Sequence, residues 1–206
     1  MNDVRTETDA VSLAARYVED MRAALAELRV AALGPVFDLL ERAYAERRTM
    51  FVCGNGGSAA TASHLAVDLS KNTRIRDVPP VRVISLVDHV PALTAWANDE
   101  GYEHVFSGQL AGLIEPGDVL IGISTSGNSA NVLHALRLAR ASGARTVGLL
   151  GGPGGAAREL CDAWVSAPGG GIERAEDVHM MLAHIITRHM RALVRRQAET
   201  LSAGIR

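Results

Sequence analysis

The chain has 206 residues, of which 48% are hydrophobic, 21% charged and only 4% aromatic. That length suits one domain with helical extensions, and the dominance of Ala, Val, Leu and Gly suits tightly packed layers of helix and parallel strand. With 21 basic against 23 acidic side chains and a formal net charge of −2, the charge balance offers no attraction for nucleic acid or an anionic membrane.

The first residues, MNDVRTETDAV, carry acids and no apolar run, so no signal peptide is expected there. No apolar stretch approaches the ~18 residues needed to span a bilayer. Residues 10–47 read as two helices: apolar side chains recur at helical spacing through VSLAARYVEDMRAALAEL, Gly34-Pro35 interrupts them, and a second helix runs over about 36–47.

From residue 49 the pattern becomes alternating strands and helices. Strands are predicted at 50–53, 81–86, 119–123, 146–150 and 163–166, each short and rich in Val, Ile and Leu, as buried parallel strands are. Helices are predicted at 58–71, 88–98, 128–142 and 154–161, with Gly117-Asp118 and Gly143-Ala144 punctuating the way into strands. A long helix over about 173–196 follows Pro168 and three glycines, and its basic residues at 188–196 read as a solvated face. The expected fold is α/β, a three-layer doubly wound parallel sheet with N-terminal and C-terminal helices. All 206 residues form one domain in this reading: helices at 1–47, an α/β core at 48–170 and the final helix at 171–206.

The two cysteines, Cys53 and Cys161, lack the spacing of a metal site or redox motif. Cys53 ends an apolar run and is expected in the core. Two lone thiols fit a reducing compartment, so a cytoplasmic location is expected.

Two loops carry the chemistry. Gly54-Asn55-Gly56-Gly57-Ser58 joins the first strand to a helix, and such a turn presents backbone N–H groups and a helix N-terminus to an anion. Gly54-x-Gly56-x-x-Ala59 also matches the dinucleotide fingerprint, with Asp88 as a ribose-binding acid, so this loop alone does not separate sugar phosphate from nucleotide. The second loop, within Gly122–Ser129, places the hydroxyls of Ser124, Thr125, Ser126 and Ser129 around a glycine turn after another strand. One helix cap at Asn128 or Ser126 would use one hydroxyl, not four. Together they can surround a phosphate monoester without the lysine of a Walker loop.

His64 and Asp68, four apart, share one face of the helix after the first loop. The final helix carries Glu173, Glu176, Asp177, His179, His184 and His189. Glu176 with His184, or Asp177 with His184, can border one cleft, and spacing alone does not choose between them.

Taken together, these segments resemble the phosphoheptose isomerase branch of the SIS (sugar isomerase) family over about residues 10–195. The similarity is carried by CGNGGS at 53–58, ISTSGNSANV at 123–132, Asn98-Asp99 within AWANDEGYEHVFS, and E-D-V-H-x4-H at 176–184. The resemblance implies the SIS fold and an aldose–ketose isomerase that converts sedoheptulose 7-phosphate to D-glycero-D-manno-heptose 7-phosphate through an enediol. It implies that Asn55, Gly56, Gly57 and Ser58 line the substrate site, that Asn98 and Asp99 contact the sugar, and that Ser124, Thr125, Ser126 and Ser129 hold the phosphate. His64, Asp68, Glu176 and His184 would form the metal and catalytic group, with Glu176 also facing substrate, Asp68 as base and His184 as acid. A divalent metal, zinc, and a homotetramer with sites at subunit interfaces are implied as well.

Two positions depart from that family. It usually has Glu where this chain has Asp68, and Gln where it has Glu176. Asp draws the carboxylate back by roughly 1.5 Å, whereas Glu in place of Gln adds a charge that favours a cation. Two rival readings come from other classes: a non-catalytic SIS protein that binds a phosphosugar or a replication initiator, and a nucleotide-dependent dehydrogenase. Retention of His64 and His184 beside carboxylates favours an enzyme over the first, and the serine loop disfavours the second.

Overall fold

The computed structural model describes residues 9–203, so most of the acidic N-terminal stretch lies outside the described residues. Five strands, β1 (Thr49–Gly54), β2 (Arg82–Ser85), β3 (Val119–Ser124), β4 (Arg145–Gly151) and β5 (Ala163–Ala167), pair in parallel in the order β2-β1-β3-β4-β5. β1 and β3 are buried along their whole length, which is why they appear in the sequence as continuous apolar runs rather than alternating ones.

Side-chain alternation divides the core between two faces. Met50 and Val52 of β1 join a cluster with α2 (Leu33–Ala45), α3 (Gly57–Val67) and α7 (Ile172–Ala203). Phe51 and Cys53 point the other way, into a cluster with α5 (Ser107–Ala111) and α6 (Ala130–Ala141), with α4 (Val90–Asp99) at its margin. Cys53 is fully buried and its thiol is pushed up to about 12 by loss of solvent, so it is an inert core residue. The chain runs outward from β1 to the edge strand β2, then returns to β3 on the other flank of β1. The order therefore reverses between β1 and β3, where open α/β sheets form their ligand crevice.

Several expected boundaries shift. The break between the first two helices falls after α1 (Ala10–Glu27), ahead of Gly34-Pro35, and both of those residues lie in the first turn of α2. A proline there lacks an N–H that the helix would not have used. The helix expected at 154–161 is only a 3-10 turn, Ala156–Leu160, because Gly154 and Gly155 both have positive φ immediately before it. The short helix α5 was hidden in the mixed sequence GYEHVFSGQL. α3 ends at Val67 and opens into a wide π turn, Asp68–Asn72.

α1 contributes only Ala24 to the buried set. It is tied to α7 by Arg174–Asp20 at 2.8 Å and by Tyr17, whose hydroxyl donates to Asp177 at 2.7 Å. Val11, Leu13, Val18 and Leu25 on the same helix are exposed.

His179 sits on the buried face of α7 with no exposed surface, and neither ring nitrogen makes a hydrogen bond of good geometry. Burial pulls its pKa down to about 4, only partly opposed by the nearby Leu150 backbone. The unfolded chain therefore takes up a proton near pH 6.5 that the folded chain refuses until near pH 4. Stability from this group is complete above 6.5 and falls as the pH drops, by about 2 kcal/mol at pH 5. Urea midpoints at pH 7.5 and pH 5 should show that loss, and His179→Leu should flatten the slope.

Candidate functional site

The loops after β1 and β3 leave the sheet toward opposite faces, one into α3 and the other into α6. A reciprocal amide pair joins them. Asn55 Nδ2 donates to Asn131 Oδ1 at 2.8 Å, and Asn131 Nδ2 returns a bond to Asn55 Oδ1 at 2.8 Å. Asn131 is 2% exposed, and its Oδ1 also accepts from the Val132 N–H at 2.9 Å. Tyr102, just beyond α4, adds a bond from its hydroxyl to Asn55 Oδ1 at 3.0 Å. Sequence reasoning quoted the segment that contains Asn131 but did not single it out. A carboxamide two residues past a serine-rich turn, at the start of an apolar helix, was the available signal.

In the first loop, Gly56 takes φ 54°, a conformation that glycine adopts without strain, and it caps α3 from the backbone alone. Gly57 is small for a different reason: a Cβ there would collide with the Glu176 carboxylate of α7. That carboxylate therefore lies against the positive end of α3. A phosphate or pyrophosphate at the same place would meet it at close range, which weighs against the dinucleotide reading of Gly54-x-Gly56-x-x-Ala59. Ser58 is buried in the first turn of α3.

The second loop has the opposite character. Ser124 Oγ accepts from the Gly127 N–H at 3.0 Å, and Ser126 Oγ accepts from the Asn128 N–H at 3.1 Å. Each hydroxyl keeps its own proton to donate. Asn128 is not a helix cap. Its amide donates to the Ser126 carbonyl at 3.1 Å and its Oδ1 accepts from the Ala156 N–H at 2.9 Å, strapping the loop to the turn after β4. Ser129 occupies the N-cap of α6, yet its side chain makes no capping bond and lies 3.5 Å from Ser124 Oγ. The start of α6 thus lacks the side-chain cap that usually covers it, beside several hydroxyls, which is the composition of an anion cradle. Thr125 and Ser126 border a cleft of about 390 Å³ that continues over Gly151, Gly152 and Ala175.

Two turns along α3, His64 Nε2 lies 3.2 Å from His184 Nε2 of α7 and 3.5 Å from Asp68 Oδ2. One ligand atom from each of these three residues falls within 4.8 Å of the others. Two ligands bound to one tetrahedral ion at about 2.0–2.1 Å lie roughly 3.3 Å apart. The spacing and the N/O donor set therefore fit a divalent transition metal of the zinc type. Glu176 is not part of this cluster.

The other candidates of α7 separate cleanly. Asp177 is bound to Tyr17 and does not pair with His184. His189 contacts Glu41 at 2.7 Å and stacks on Phe37 with ring centroids 3.9 Å apart, so it fastens α7 to α2. Asn98 and Asp99 are exposed at the end of α4 and bonded to each other at 2.7 Å, with no hydrogen bond to either loop among the described residues. Asp88 is exposed just beyond β2.

Comparison with known proteins bears on the fold and the family. A family profile described as the SIS domain matches residues 15–151. The chain is 44% identical to a phosphoheptose isomerase of Nitratiruptor sp. over 140 residues, 68% of this chain and 74% of that protein. It is 38% identical to a phosphoheptose isomerase of Trichlorobacter lovleyi over 178 residues, 85% of this chain and 90% of that one. The solved structure of phosphoheptose isomerase GmhA from Neisseria gonorrhoeae superposes with a TM-score of 0.80 at 32% identity, covering 88% of this chain and 98% of the other.

Replacing Asn131 by Leu should leave the Asn55 amide without its partner and cost about 2 kcal/mol. For a chain of this size that is a drop in Tm of roughly 4–8 °C. Calorimetry of the variant checks it, and an unchanged Tm would mean the pair does not hold the loops.

Proposed function

The chain belongs to the SIS-domain family and, within it, to the phosphoheptose isomerases, and on that footing we propose that it interconverts sedoheptulose 7-phosphate and D-glycero-D-manno-heptose 7-phosphate. The observation that carries the proposal is the pairing of an anion cradle at Ser124–Ser129 with a His64, Asp68 and His184 cluster two helical turns from the first loop.

Ser124, Thr125, Ser126 and Ser129 donate hydroxyl and backbone hydrogens to the phosphate. Asn55, Gly56, Gly57 and Ser58 line the path of the carbon chain. Glu176, set against Gly57, accepts from sugar hydroxyls, and Asn98 with Asp99 approaches the sugar from the end of α4. The remote phosphate grip supplies the binding energy that orients the reacting carbons.

Asp68 takes the proton from the carbon beside the carbonyl and returns it to the neighbouring carbon. Short as its side chain is, its carboxylate still lies within 4.8 Å of ligand atoms of both His64 and His184. His184 moves the proton between the two oxygens as the enediol forms and collapses. A divalent ion, zinc by its donor set, would be held by His64, Asp68 and His184 and would polarise the two substrate oxygens.

The exposed apolar side chains of α1 call for partners, and a homotetramer that brings subunits together along this helix, with sites near the interfaces, meets that need. No helix among the described residues is long and apolar enough to cross a membrane. We place the enzyme in the cytoplasm, with its 206 residues forming one domain.

Purified protein incubated with sedoheptulose 7-phosphate should yield the aldose, with turnover rising on addition of Zn²⁺ to stripped protein. Asp68→Asn should lower kcat by at least about 100-fold while leaving the melting curve in place. No turnover with any of Zn²⁺, Mn²⁺ or Mg²⁺ would remove the heptose assignment.

A further inference from the structure

We propose that Asn72 is a positioning residue that fixes the orientation of the Asp68 carboxylate, a role that rests on the assignment of Asp68 to the reacting centre.

Asp68 opens the π turn and Asn72 closes it. Asn72 Nδ2 donates to Asp68 Oδ1 at 2.5 Å, while the other carboxylate oxygen, Oδ2, faces His64 at 3.5 Å. The two oxygens thus have divided duties: one is held by an amide, and the other is left toward the histidines. A carboxylate without such a hold rotates about its last torsion and presents either oxygen, or neither, to a proton or an ion. Hydrogen bonds of this kind, made to a ligand rather than to the metal, set ligand orientation and affinity.

Asn72 is itself held from both sides. Arg191 Nε donates to its carbonyl at 2.9 Å, and Arg191 stands two turns past His184 on the same helix, α7. Thr73, the next residue, is 1% exposed and donates its hydroxyl to the Leu69 carbonyl at 2.6 Å, anchoring the end of the wide turn. The helix that supplies His184 therefore also fixes the residue that aims Asp68. Wide turns inserted in α-helices recur at functional sites, and this one puts a short aspartate under the control of a neighbouring amide.

Asn72 is exposed, so Asn72→Leu removes the amide without opening the core. The full chain, stripped of metal, is titrated with Zn²⁺ against a chromophoric chelator, and its Co²⁺ form is examined in the visible region. Asn72→Leu should bind Zn²⁺ about 10–100-fold more weakly than wild type and shift the Co²⁺ d–d bands. With sedoheptulose 7-phosphate its kcat should fall with little change in KM, and Asn72→Gln, which keeps a donor, should recover part of each loss. Zn²⁺ affinity and Co²⁺ bands unchanged in Asn72→Leu would overturn the proposal. If wild type turns over no phosphosugar but Asn72→Leu still weakens Zn²⁺, the isomerase assignment falls and the positioning role stands.

Discussion

Between β1 and β3 the sheet topology creates a crevice, but topology alone does not make its two walls one site. α3 and α6 leave these neighbouring strands on opposite faces, and their loops would diverge without a tie. The Asn55–Asn131 pair is that tie. Each carboxamide offers one donor and one acceptor to the other, so the pair is reciprocal and direct. Burial of Asn131 makes any alternative arrangement costly. Because the pair joins the first residues after one strand to the first turn of the helix after the other, both loops are held in one register. The hydroxyls on one wall then stay at a fixed distance from the carboxylate and histidines on the other.

That fixed distance has an electrostatic consequence. Both walls end in a helix N-terminus, and both would attract an anion by their backbone alone. They are made different by what covers them. Glu176 lies against Gly57 at the start of α3 and fills that position with negative charge, whereas the N-cap of α6, Ser129, makes no capping bond and no acid among the described residues lies against it. The proposed direction of a sugar phosphate in the crevice, with its phosphate toward α6, rests on this difference.

Much of the architecture was legible in the sequence because it depends on local signals. The buried parallel strands appear as Val- and Ile-rich runs, and the glycine and serine loops fall directly after two of them. The i,i+4 spacing of His64 and Asp68 fixed their common face, whereas their meeting with His184 was implied only by the family resemblance and not by any spacing. What was not legible depends on contacts between distant segments. Asn131 was indistinguishable from an ordinary residue at a helix start until Asn55 was seen opposite it. Choosing between Glu176 and Asp177 required knowing that Tyr17 of α1 takes Asp177 away. His179 and His189 had the same outward appearance as His184, yet one is buried and the other stacks on Phe37. The π turn left no mark in DLSKN, since a widened turn is decided by tertiary contacts rather than by propensity.

The role of α7 explains how these separate features become one geometry. It runs beside α3 in the same direction, touching it first where Glu176 meets Gly57 and again, about two turns later, where His184 meets His64. Two contacts at matching intervals on two rigid helices define their register, and a third, from Arg191 to the Asn72 carbonyl, extends it past the end of α3. The glycine at position 57 leaves room for the first contact, since a Cβ there would meet the carboxylate tip of Glu176. One helix thus lines both ends of the site, with Glu176 against the first loop and His184 in the metal-type cluster two turns on.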